Sequence, residues 1–183
     1  YYGDTRIMAS KLKTDILETV SGSGTIALTN QLSGTTHASM PAGSVIQVVH
    51  GSSGASFTSS STSFVELTHL RLSITTLSAN SKILVSMNCA KQGNQSASTL
   101  VKTQILCSID NYGASLKSSG LGFYPTWITA PSGDTFIHTA AQPAGTTITY
   151  KLFAAVNQGS FYAPDLWGVG GPHSTTLLQE IKT

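Results

Sequence analysis

Charge is what this sequence has least of. Ten Lys and Arg and eight Asp and Glu in 183 residues make charged groups 10% of the chain, with a formal net charge of +2. A soluble domain ordinarily carries about 25%. The basic residues form no run and no stripe interleaved with aromatics, so nucleic acid is not an expected partner. Long apolar runs are also missing. Ile83-Leu84-Val85 is typical, far short of the ~20 residues a helix needs to cross a bilayer, and no membrane insertion is expected. The N-terminus lacks a basic flank followed by an apolar run, so no secretory signal is read there. Cysteine is limited to Cys89 and Cys107. If these lie in a hairpin turning near Gly93-Asn94, Cys89 falls opposite about Val101 and Cys107 opposite about Ile83. Out of register, they read as two buried thiols acting as small apolar groups. The sequence has no CxxC, which excludes a zinc knuckle on this chain alone.

What fills the space is Ser and Thr, together roughly a quarter of the chain, far above ordinary usage. A surface wetted by hydroxyls instead of ion pairs suits extracellular scaffolds and fibres better than cytosolic enzymes. The length allows one domain with a sizeable core.

Residues Tyr1–Met40 differ from the rest. Ala9–Val20 holds the one helix-like pattern, with Leu12, Ile16, Leu17 and Val20 apolar, and Ser21-Gly22-Ser23-Gly24 ends it. A helix this short is not stable alone, but three copies in a parallel trimer could bury their apolar sides together. Thr25–Thr29 reads as a short strand. We read 1–40 as an attachment or oligomerisation segment. Met8 can serve as a translation start, which would make Tyr1–Ile7 a tag, a linker or the tail of something larger.

From Pro41 to Thr183 the pattern is strands, one after another: Val45–His50, Ser63–Leu67, Leu70–Leu77, Lys82–Asn88, Leu100–Ile109, Thr126–Thr129, Thr135–Thr139, Thr146–Val156 and Thr175–Ile181. Turn clusters separate them at Gly51–Gly54, Ser78–Ser81, Gln92–Asn94, Pro131–Asp134 and Pro143–Gly145. Short strands at near-regular spacing, with no strand–helix alternation, indicate an all-β jelly roll or β-sandwich head over 41–183. Lys82–Asn88 has large apolar residues on both faces, as for a strand covered by a second sheet on one side and a neighbouring subunit on the other.

Several stretches resemble a family of tailed-bacteriophage virion proteins, of the marine and cyanophage type, usually described as tail-fibre or structural proteins. They are Met40–Val49, Ser59–Leu67, Leu72–Thr75 and Ser78–Val85, with Met8–Asp15, Ser23–Leu28 and the closing Ser174–Ile181 similar to its terminal segments. The resemblance covers about two-thirds of the chain and is weakest over Asn111–Pro172. It implies a homotrimeric jelly roll similar to the tumour-necrosis-factor type, located on the virion, in a tail fibre or at the capsid surface. Its partners would be itself and other virion proteins held through the N-terminal segment. The alternative it leaves open is a trimeric capsid decoration or head-fibre protein without receptor binding. Fold analogy alone does not supply function.

No catalytic residues are assigned. The acidic residues form no recognisable acid/base pair, and no Gly-x-Ser-x-Gly elbow is present. A long β-solenoid of the kind that depolymerase tailspikes need does not fit this length. We therefore expect no enzyme, no cofactor and no metal. The histidines are not spaced as ligands, although His37 or His50 on a threefold axis would become three.

The aromatic stretches Gly122–Trp127 and Ser160–Trp167 hold both tryptophans, with Asn157, Gln158, Asp165 and His173 close in sequence. A flat ring beside amides and carboxylates can grip a sugar: the ring covers the C–H face and the polar groups take the hydroxyls. The candidate glycan-binding residues are Tyr124, Trp127, Tyr162, Asp165 and Trp167, with host surface polysaccharide as the ligand. The competing role for these aromatics is packing, at a subunit interface or at the end of the sandwich.

Overall fold

The computed structural model describes residues 37–93, 99–123, 129–163 and 174–183. All lie in the larger of two units into which the chain divides, Thr35–Thr183. The attachment segment falls outside the described residues up to residue 36.

The described chain forms strands β1 (Val45–Ser53), β2 (Phe57–Ser59), β3 (Val65–Glu66), β4 (Leu72–Thr75), β5 (Lys82–Gly93), β6 (Thr99–Cys107), β7 (Lys117–Phe123), β8 (Thr129–Thr139), β9 (Thr147–Val156), β10 (Phe161–Ala163) and β11 (Ser174–Ile181). Single 3-10 turns at His37–Ser39, Thr68–Leu70 and Ser108–Asp110 complete it. The pairings are antiparallel and make two sheets. In the first, β1, β11, β5 and β8 lie side by side, and β2 and β10 continue β1 and β11 beyond a break. In the second, the order is β4, β9, β6, β7, with β3 pairing β9 beyond β4.

Along the chain the principal strands switch sheets in a fixed rhythm: β1 first, β4 second, β5 first, β6 and β7 second, β8 first, β9 second, β11 first. Two four-stranded sheets interleaved in this way are a jelly roll. The all-β jelly-roll reading therefore holds.

The alternation that marks a half-buried strand is what builds the interior. Ile83, Val85, Met87 and Cys89 of β5 point inward against Val101, Ile105 and Cys107 of β6 and Ile148, Tyr150, Leu152 and Ala154 of β9. All are 3% exposed or less, and a fully buried Ile or Leu contributes about 1.5–3 kcal/mol. Both cysteines are free and buried, as expected. The hairpin reading that placed them is corrected, because β5 and β6 belong to different sheets. Cys89 sits beside Ser174 and Ser132, and Cys107 beside Tyr150.

Two further readings change. Pro131–Asp134, read as a turn, lies inside a continuous β8. Pro131 is tolerated because β8 is an edge strand. Gly133 lies directly opposite Asn88, and a Cβ there would collide with the Asn88 side-chain amide. Ser63–Leu67 shrinks to Val65–Glu66, and Leu67 leads into the 3-10 turn that buries Leu70.

Candidate functional site

The sandwich has two ends, separated by the length of β5. Its 12 residues span roughly 36 Å at ~3.3 Å each. At the Lys82 end, which we call the base, lie the connections 76–81, 108–116 and 140–146, the segment 37–44 and the C-terminus. At the Gly93 end, the tip, β5 ends at Gly93, β6 begins at Thr99, β7 ends at Phe123 and β8 begins at Thr129.

Of the five candidate glycan residues, Tyr124, Trp127, Asp165 and Trp167 lie outside the described residues. The strands that carry them do not. Thr129, which follows 124–128, pairs with Gln92 of β5. Ala163, which precedes 164–173, pairs with Phe57, and Ser174, which follows it, pairs with Cys89. Tyr162 is half-buried and pairs with Thr58 on one side and Gln92 on the other. The jelly-roll topology thus attaches both aromatic stretches to one short length of β5, Cys89–Gly93, although some 35 residues separate them in sequence.

Packing is the role of one of these aromatics. Phe161 is fully buried and stacks at 5.8 Å, tilted, on Phe57, which lies 6.4 Å from the His69 ring. Successive strand residues face opposite ways, so Tyr162 points to the outer face. Asn157, a neighbour in the proposed sugar-binding chemistry, is already engaged. Its Oδ1 accepts from the Leu100 N–H at 2.6 Å, and its own N–H donates to the Leu100 carbonyl at 3.1 Å. Sequence reading missed that tie, because an Asn in a turn looks the same whether or not it has a partner.

The base contains the polar chemistry of the fold. Glu180 is 0% exposed. Its carboxylate accepts from the Leu77 N–H at 2.9 Å to each oxygen, the Ser78 N–H at 2.9 Å and the Ser81 hydroxyl at 2.7 Å. With the Gln47 amide oriented to donate, its nitrogen reaches Glu180 Oε2 at 3.1 Å and the Thr75 carbonyl at 2.9 Å. Neutral donors therefore hold a buried carboxylate and fix the 76–81 connection to β11. Beside it, Lys182 ties down the incoming chain: Nζ donates to the Ala38 carbonyl at 2.7 Å and the Met40 carbonyl at 2.6 Å.

His138 of β8 crosses the interior to Tyr150 of β9, with Nδ1 and the phenol oxygen 2.8 Å apart and the rings edge to face. Burial pushes the His138 pKa down, partly opposed by the Asp110 charge, and pushes the Tyr150 phenol well up. Burial also raises the Cys107 thiol. Among the described residues no group of three His, Cys, Asp or Glu is placed to hold a metal.

The two outward faces differ in kind. On the second sheet, hydroxyl pairs Ser73–Thr149 and Thr75–Thr147, each 2.8 Å apart, cross from β4 to β9. Glu66 there pairs with Arg71 at 2.7 Å and Lys151 at 3.3 Å, and Lys151 lies 4.0 Å above the Tyr112 ring. On the first sheet the register aligns Val48, Gln179, Leu84 and Ile137 in one transverse row, with Val45, Ile181, Lys82 and Thr139 in the row toward the base. Val45, Val48 and Ile137 are 46%, 55% and 56% exposed.

No family model matches the sequence, and no curated protein matches it. Solved structures that are similar include particles of infectious bursal disease virus. The Gx strain structure is 14% identical with a TM-score of 0.37, covering 74% of this chain and 37% of that one. The Gt strain structure is 13% identical with a TM-score of 0.37, covering 75% and 38%. The VP2 subviral particle of the same virus is 10% identical with a TM-score of 0.33, covering 75% and 37%. The match thus spans little more than a third of each of those chains, and the jelly-roll assignment rests on the strand order of this molecule.

Proposed function

We propose that this chain is a non-enzymatic structural module of a virus particle. It works as a homotrimer in an appendage of a tailed bacteriophage, most simply a tail fibre, and contributes to attachment to the host surface. The observation that carries this reading is the opposition of the two ends. Residues 37–44, which include the end of the 1–40 attachment segment, are tied down at the base, and described residues that belong to or flank the aromatic stretches, Thr129, Tyr162 and Ser174, pair with β5 near the tip. A head whose segment 37–44 is tied at one end, while the described neighbours of both aromatic stretches pair toward the other, suits a module that reaches a surface. The resemblance to phage virion proteins and the hydroxyl-rich, charge-poor composition support the same role.

The ligand in this reading is a host envelope polysaccharide, gripped by Tyr124, Trp127, Tyr162, Asp165 and Trp167. The test is binding of the full chain to host envelope polysaccharide, with Trp167→Ala as the variant. Binding by the native protein and its loss in a folded variant of the same oligomeric mass are expected. Unchanged binding by that variant overturns the site. Immunogold labelling of virions with antibody to residues 41–183 tests the position. Gold at tail or fibre tips is expected, and gold spread over the head makes the protein a capsid decoration instead.

A further inference from the structure

We propose that the outer face of the first sheet, centred on the row Val48–Gln179–Leu84–Ile137, is the surface through which copies of this chain associate. The core does not account for these side chains. Val48 and Ile137 stand more than half exposed at the two edges of the row, with Leu84 half-buried between them. Val45 extends the apolar patch toward the base. Isolated exposed apolar residues are ordinary, but a row that the register aligns across four strands is a patch.

The occupant is a second copy for three reasons. The first is size. Four strands ~4.8 Å apart and seven or eight residues long make a face of roughly 19 by 25 Å, about 475 Å² on each copy, so two such faces together come close to the ~1,000 Å² at the lower end for a specific interface. The second is charge. In the four rows from Val45–Thr139 to Ser52–Gly133, only Lys82 and His50 are titratable and no carboxylate is present. A partner chosen by charge would find little to hold, whereas a copy brings an equally apolar face. With a formal net charge of +2, copies repel each other only weakly. The third is contrast. Both faces carry cross-strand hydroxyl pairs, Ser86–Thr135 here and Ser73–Thr149 and Thr75–Thr147 opposite, but the opposite face adds the charged Glu66–Arg71–Lys151 network, which a copy would have to desolvate.

This inference rests on the oligomeric part of the proposed function but not on the number three. The experiment is sedimentation equilibrium of the full chain at tens of micromolar, comparing the native protein, Ile137→Lys, and Thr147→Lys on the opposite face as control. We expect a native mass that is a multiple of 19.1 kDa, unchanged in Thr147→Lys and reduced to the monomer in Ile137→Lys with a cooperative unfolding transition retained. A native dimer that dissociates in Ile137→Lys sustains this face while overturning the trimer. A monomeric native chain overturns both, and an Ile137→Lys variant that keeps the native mass overturns the face alone. Should Ile137→Lys not fold, Ile137→Cys takes its place. Cys89 and Cys107 are buried, so a short bismaleimide is expected to join copies through position 137 and not through Thr147→Cys. The reverse pattern overturns the proposal.

Discussion

The base and the tip of this sandwich are built from the same strands but held by different means. At the base, connections are locked by buried and half-buried polar groups: Glu180 takes the 76–81 backbone, Lys182 holds the incoming chain, and His138 meets Tyr150 between the sheets. Toward the tip, the ties among the described residues include the aromatic contact of Phe161 with Phe57 and the Asn157 bridge to Leu100. The difference teaches how a module can vary at one end. Register is carried along whole strand pairs such as β5–β8, so a change of composition at a strand end need not unfold the scaffold.

The sharpest way to break the comparison is to remove the carboxylate at the base. Glu180→Ala leaves the Leu77 and Ser78 N–H groups without their acceptor, while the Ser81 hydroxyl keeps the Ser78 carbonyl at 2.9 Å, and should lower stability by about 3–5 kcal/mol. Guanidinium denaturation reads it directly. A loss below about 1 kcal/mol would mean that water replaces the carboxylate and that the base is not specially locked. Glu180→Gln keeps the volume and one acceptor oxygen and should lose less.

Two half-buried histidines sharpen the contrast next. His138, toward the base, has the Tyr150 phenol as partner, whereas His69, in the 3-10 turn beside Phe57, has a buried Nε2 with no protein partner. His138→Leu orphans the phenol and should destabilise by about 1–3 kcal/mol, while His69→Leu removes an unpaired polar atom and should be near neutral or stabilising. Equal losses at both positions would erase the distinction.

Burial depresses both histidines from 6.5 in the folded state. Near and below that pH the unfolded chain binds more protons than the folded one. Stability is therefore fully present above about pH 6.5 and falls as the pH drops from there toward the folded-state values. The denaturation midpoint should decline between pH 7 and pH 5, and His138→Gln should make that decline shallower. A midpoint flat across this range would show that neither ring resists protonation.

How much of this was legible in the sequence depends on the kind of signal. Strands β5, β9 and β11 announce themselves by alternation; β9 and β11 differ from the expectation by one residue each, and β5 runs five residues further at the tip end, to Gly93. Strands β2 and β10 are three residues long, too short for a period, and β7 (KSSGLGF) has two serines and two glycines where a pattern reader looks for apolar residues. The switch between sheets after β5 leaves no trace in local periodicity, so a hairpin was the natural reading and the wrong one. Glu180 occupies an inward position of β11, where alternation would demand an apolar residue; only its donors from 76–81 explain it. Of the candidate site, sequence composition singled out the two aromatic stretches. That they join neighbouring positions on β5 is a property of strand order, which no spacing along the chain encodes.

The smallest effect is expected at the tip. Asn157→Ala removes the acceptor for the Leu100 N–H. Both residues are exposed, so water can take over that bond, and the loss should be only about 0.5–1 kcal/mol. The informative readout is polysaccharide binding beside stability. If Asn157 serves to fix the turn that leads into β10, the variant should lose affinity through Tyr162 several-fold while its unfolding midpoint barely moves. A midpoint shift comparable with that of Glu180→Ala would show that the tip is locked as firmly as the base, and the division of labour between the ends would fail.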